Sequence, residues 1–123
     1  MYKLAISTSG EYVSAAIFEE KLLASFVSKT NRGSTGILLN QINELFDKTK
    51  ASRKDLSALY LDVGPGYYTG LRIGLSVSQG LGAVLGIPII PVNGLDALAF
   101  AAHTSHRKIC LLYTSDAADD EER

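Results

Sequence analysis

The chain has 123 residues, 46% of them apolar and 20% charged, with one cysteine and a net charge of −1. That length suits one domain and that composition can fill its core. A single cysteine excludes an internal disulfide framework, and no apolar run reaches the ~18–20 residues that cross a bilayer.

The charge is unevenly spread. Residues 1–110 carry 11 Lys and Arg against eight acids, whereas residues 111–123 carry one Arg against five. A small, scattered positive body charge does not argue for direct contact with nucleic acid. Met1-Tyr2-Lys3-Leu4-Ala5-Ile6 lacks the long apolar stretch and small-residue cleavage site of a signal peptide. The expected location is cytoplasmic.

Residues 3–8 read as a first strand, Tyr12 to Phe18 as a second and Leu22 to Val27 as a third. The intervening Ser9-Gly10-Glu11 and Glu19-Glu20-Lys21 are short turns, so the three form an antiparallel meander. Arg32-Gly33-Ser34-Thr35-Gly36 breaks that pattern. Ile37, Leu38, Leu39, Ile42, Leu45 and Phe46 then recur at helical spacing. Leu38, Ile42 and Phe46 share a face, and Ser34 or Thr35 suits the N-cap. Lys48, Lys50, Arg53 and Lys54 form the only basic cluster, read as a solvated helix end. Ser52-Arg53-Lys54-Asp55 matches a capping box and predicts a single turn. Ser57 to Val63 does not alternate, as expected of a strand covered on both faces.

That strand ends in Gly64-Pro65-Gly66, and Thr69 and Gly70 follow before a new apolar helical pattern, Leu71 to Leu85. Strand, glycine-rich loop, helix is an order that can leave backbone N–H groups free for a ligand. The helix is apolar most of the way round, which predicts burial. Gly70, Gly74, Ser78, Gly82 and Gly86 recur every four residues. Such a ribbon lets another backbone approach: the protein's own sheet is the simpler reading, a partner helix the sharper one. Ile87 to Val92 reads as a fifth strand, where Pro91 argues for an edge. Asn93-Gly94 turns the chain into a last helix, Leu95 to Ala102. The order β-β-β-α-β-α-β-α predicts a mixed five-stranded sheet with helices packed on it.

Residues 1–110 are read as one lobe. Residues 111–123 shift abruptly to an acidic composition without apolar periodicity. They read either as a disordered tail or as a non-native segment fused to a truncated chain.

Few residues suggest chemistry. His103 and His106 lack nearby partners to complete a metal set. Cys110 has no nucleophile context. Ser7, Thr8 and Ser9, at the end of the first strand, suit either an anion-binding hairpin or local capping. Asp62 is placed either to face a ligand or to pair with Arg72. The loop lacks the Lys-Ser/Thr ending of a Walker A motif, and a meander precedes it where a Rossmann fingerprint would have a first βα unit.

Gly64-Pro65-Gly66-x-x-Thr69-Gly70-Leu71-Arg72-Ile73-Gly74 resembles the signature of the TsaB (YeaZ) family. Supporting matches are Leu4-Ala5-Ile6-Ser7-Thr8-Ser9, Asp55-Leu56, Gln79-Gly80-Leu81, Gly86-Ile87-Pro88-Ile89 and Leu95-Asp96-Ala97-Leu98-Ala99. Together they cover about residues 1–108. The resemblance implies an α/β lobe of the actin/Hsp70/sugar-kinase-like (ribonuclease H-like) fold. It also implies a role in making N6-threonylcarbamoyladenosine (t6A) at position 37 of tRNA. There the family is the non-catalytic partner of the TsaD transferase, with the TsaE ATPase as third component and tRNA met indirectly. A peptidase label attaches to the family through its likeness to the M22 glycoproteases.

The chain departs from the family pattern in its side chains. Ser7 stands where the family usually has Asp, an acid that in this fold helps hold a nucleotide's metal. Tyr67-Tyr68 replaces a Ser-Phe pair, and Val63 replaces an Arg. The HxxxH metal motif of the catalytic paralogue is absent. No ATP, ADP or metal cofactor is therefore expected, and no catalytic residue. A two-lobed cleft also needs groups from both lobes around its substrate, and 123 residues provide one.

The resemblance makes a TsaD-binding scaffold the first expectation. Its interface would use the helices, with Leu38, Ile42, Phe46, Gly74, Ser78 and Gly82 as candidates. A kinase-like or peptidase-like lobe binding ATP at the glycine loop is the alternative, and a homodimer through the same helices is a third.

Overall fold

The structure, a computed structural model, describes residues 1–29 and 34–101. The elements run β1 (Tyr2–Ser7), β2 (Tyr12–Phe18), β3 (Leu22–Lys29), α1 (Ser34–Thr49), a 3₁₀ turn (Arg53–Asp55), β4 (Leu56–Asp62), α2 (Tyr68–Leu85), β5 (Ile89–Val92) and α3 (Gly94–Ala101). The sheet order is β3-β2-β1-β4-β5. β1 pairs antiparallel with β2 and parallel with β4; β2 pairs antiparallel with β3 and β4 parallel with β5.

The expected element order and mixed sheet are observed, with shifted ends. β3 runs two residues past Val27, and β4 starts one residue before Ser57. β5 begins at Ile89 because Ile87 still closes α2: Gly86, at φ 66°, is the left-handed C-cap, and the Gly86 and Ile87 N–H groups donate to Gly82. α2 begins three residues before Leu71, inside the expected loop. The loop's composition masks a first helical turn that no side chain caps.

β1 and β2 alternate as a half-buried meander should. Leu4 and Ile6, with Val13, Ala15 and Ile17, face one side. That side meets Leu38, Ile42, Leu45 and Phe46 of α1 and Val77 of α2 in one cluster, joined by Leu59 and Leu61 of β4. Each such Leu, Ile or Phe buried contributes about 1.5–3 kcal/mol. β4, between two parallel neighbours, buries Leu56, Ala58, Leu59 and Leu61, while Ser57, Tyr60 and Asp62 are half-buried, so the expected cover on both faces is incomplete among the described residues. Pro91 is tolerated because β5 pairs only with β4, leaving the proline on an edge.

The basic cluster lies at the end of α1. Lys50 takes φ 57°. Arg53 donates to Asn43 Oδ1 at 2.5 Å and lies 4.9 Å over the Phe46 ring. In the 3₁₀ turn, Ser52 Oγ accepts from Lys54 N–H at 3.3 Å. The donor is thus one residue earlier than in the expected capping box, because the turn is tighter. The side chains of Ser34 and Thr35, expected as caps, and His103, His106, Cys110 and the acidic tail lie outside what the structure describes.

Candidate functional site

β1 and β4 run parallel side by side, so their carboxyl ends bring Ser7 and Asp62 together. Asp62 Oδ2 accepts from Ser7 Oγ at 2.8 Å and from Ser9 Oγ at 2.5 Å. Oδ1 accepts from the Gly64 N–H at 2.8 Å. Of the two placements open to Asp62, pairing with Arg72 does not occur. The carboxylate instead fastens the β1–β2 turn to the start of the loop. Ser7 and Ser9 act there as local donors to Asp62.

The loop is tied down at Gly64, Tyr67 and Gly70. Gly64, at φ 95°, donates to Asp62 and accepts from the Gly94 N–H at 3.0 Å. The Gly64–Pro65 peptide is cis. The Tyr67 N–H donates to Ser9 C=O at 2.8 Å, and Thr8 Oγ1 donates to Gly70 C=O at 2.6 Å. A Cβ at Gly66 would overlap Ser9 C=O, one at Gly70 would overlap Thr8 C=O, and one at Gly74 would overlap Thr8 Oγ1. These glycines exist because the β1–β2 turn lies against the first two turns of α2. The structure therefore brings Gly64, Pro65, Gly66, Gly70 and Gly74 together around that turn. Thr69 and Arg72, from the same motif, are exposed.

The six residues read as a partner interface belong elsewhere. Leu38, Ile42 and Phe46 are at most 3% exposed, and Gly74, Ser78 and Gly82 are buried. The α1 residues fill the core beneath the sheet. Gly74 abuts Thr8 and Leu61, and Gly82 abuts Ile89. The small-residue ribbon packs on the protein's own sheet, the simpler of its two readings. A periodic apolar stripe identifies the face a helix buries at home; a docking surface has to be sought on the opposite face.

On α2 that face carries Tyr68, Arg72, Leu75, Ser76, Gln79 and Ala83, all exposed, with Val84 on its flank 83% exposed. Arg72 is its single charge. A Cβ at Gly80 would meet nothing within 4 Å, so the flank is open to close approach. Ile37 and Leu39 of α1 are likewise exposed. The signal was available in the sequence: between Arg72 and Asp96 there is no charged residue, although a helix with one buried face normally charges the other.

The opposite side of the sheet holds a trough of about 520 Å³, floored by small residues at paired positions, Ala5, Ala16 and Ser25, and walled by Tyr60 and Leu98. Its size is that of a ligand pocket, and Ser7 and Asp62 at its end are already hydrogen-bonded to one another. No helix among the described residues is long and apolar enough to cross a membrane.

Comparison with known proteins places this architecture. The family model described as TsaD, tRNA N6-adenosine threonylcarbamoyltransferase, matches residues 22–118. The tRNA threonylcarbamoyladenosine biosynthesis protein TsaB of Buchnera aphidicola (subsp. Schizaphis graminum) is 32% identical over 114 residues, 93% of this chain and 54% of that protein. The solved structure of YeaZ from Pseudomonas aeruginosa superposes with a TM-score of 0.78 at 31% identity, covering 85% of this chain and 49% of its own. This chain belongs to the TsaB (YeaZ) family. It spans about half the length of the TsaB relatives it matches. A ROK hexokinase from Thermus thermophilus, at 18% identity and a TM-score of 0.55, covers 87% of this chain and 38% of its own length. It shares the fold alone: this TsaB-family chain is an α/β lobe of the actin/ribonuclease H-like type.

Proposed function

We propose that the chain is a non-catalytic scaffold in cytoplasmic t6A synthesis on tRNA, docking on the TsaD transferase through the outer face of α2 and the exposed edge of α1. TsaE and tRNA join through that partner. The exposed stripe from Tyr68 to Ala83 carries this reading. It is a surface of apolar, small and amide side chains with one charge, on a helix whose other face is fully used by the core. Depletion of charge marks the centre of protein interfaces, and contiguous apolar surface on a soluble lobe marks contact sites. The glycine loop supports the same reading, since its glycines serve packing and Asp62 is engaged by three donors of its own lobe.

The test is copurification with the transferase from the same source. Val84→Asp and Leu75→Asp should each abolish the complex; Val84→Asp should leave the thermal melt within a degree or so of wild type, because its side chain is 83% exposed, whereas Leu75, at 44%, should lose somewhat more. Leu22→Asp, on the exposed edge strand, should bind normally. Retention of the complex by both α2 variants overturns the assignment. Sedimentation of the chain without transferase would reveal self-association through the same face.

A further inference from the structure

On the docking surface assigned above to α2, Arg72 stands out as a lone charge. Its guanidinium lies 5.5 Å over the ring of Tyr68, one turn earlier, and both side chains are exposed. Among the described residues Arg72 makes no ion pair. No Asp or Glu occurs between Asp62 and Asp96, and Asp62 is engaged by Ser7, Ser9 and Gly64. The lobe thus leaves one cation unneutralised at the end of an otherwise nearly neutral stripe.

In water this costs nothing. Under a partner it becomes a constraint. Covering the stripe withdraws solvent from the guanidinium, and a desolvated charge without a counter-charge is strongly unfavourable. The face of Tyr68 offsets part of that cost by cation–π attraction. It also limits the guanidinium's freedom, so less side-chain entropy is lost on docking. The edge of the guanidinium fork is the geometry that meets a carboxylate through two hydrogen bonds.

We propose that Arg72 is the specificity anchor of this surface: it receives a carboxylate of an Asp or Glu on the partner subunit, with Tyr68 as the positioning residue that holds the guanidinium. The apolar positions Leu75, Ala83 and Val84 then provide contact area, and Arg72 selects partner and register. A partner presenting a cation or an apolar side chain opposite Arg72 is rejected by the uncompensated charge.

Titration calorimetry of the full chain with the transferase, at about 0.05 M and about 0.5 M salt, tests this. Wild-type affinity should fall with salt. Arg72→Met, which keeps length and loses charge, should bind about tenfold or more weakly and lose most of the salt dependence. Arg72→Lys should keep the salt dependence but recover only part of the affinity, because an ammonium lacks the planar fork. If Arg72→Met binds like wild type while Val84→Asp does not bind, α2 docks but Arg72 meets no carboxylate, and this inference is overturned alone. If Val84→Asp and Leu75→Asp both bind normally, the α2 surface itself is wrong and both readings fall.

Discussion

Asp62 is the residue on which the local architecture depends most. It is half-buried, and its two oxygens collect two hydroxyl donors from the end of β1 and its turn and one backbone N–H from the loop. Hydrogen bonds to an ionised acceptor are each worth about 1.5–3 kcal/mol. Asp62→Ala should therefore lower unfolding stability by about 2–4 kcal/mol in urea denaturation. Asp62→Asn keeps one oxygen, and the serine hydroxyls can rotate to accept from its amide, so its loss should be about 1 kcal/mol. Equal losses for the two variants would mean that the carboxylate's charge, rather than its acceptor geometry, fastens the turn. Ser7 belongs to the same arrangement. Its hydroxyl meets the carboxylate directly through a hydrogen bond of 2.8 Å.

At the scale of elements, the glycines of α2 divide into two kinds, and the four-residue spacing already separates them, since Gly80 lies off the ribbon that holds Gly74 and Gly82. Gly74 and Gly82 face β-strand side chains at contact distance, while Gly80 faces open space. Gly74→Leu would drive a side chain into Thr8 and Leu61, and should destabilise the lobe by about 3 kcal/mol or more. Loss of a partner in that variant would report unfolding. Gly80→Ala should instead stabilise the lobe by about 0.5–1 kcal/mol, since alanine removes backbone freedom without meeting anything. Urea midpoints of the two variants on either side of wild type would verify the division. Most of the elements were legible because apolar periods of two and 3.6 are imposed by burial on each chain segment alone. The bounds of β2 were read directly, and the meander-then-crossover order followed from turn lengths. The first turn of α2 was hidden because Tyr67 to Gly70 carries no cap and no apolar repeat; its geometry comes from the β1–β2 turn lying against it. The residues expected at an interface are buried for a related reason. Leu38, Ile42 and Phe46 form the clearest stripe because the core selects them, and the exposed face of α2 is marked in the sequence only by an absence of charge.

At the scale of the whole molecule, the described residues form a sheet with one face sealed by α1 and α2 and the other bearing a trough beside α3. The lobe has its own core, so α2's outer face is presented on a rigid base, as docking requires. Placing a photo-reactive amino acid at Ser76, in the middle of the α2 stripe, and separately at Leu22, on the exposed edge strand, would locate the partner directly. With the transferase present, the account predicts a covalent adduct from position 76 and none from position 22. An adduct from position 22 with none from position 76 would contradict it.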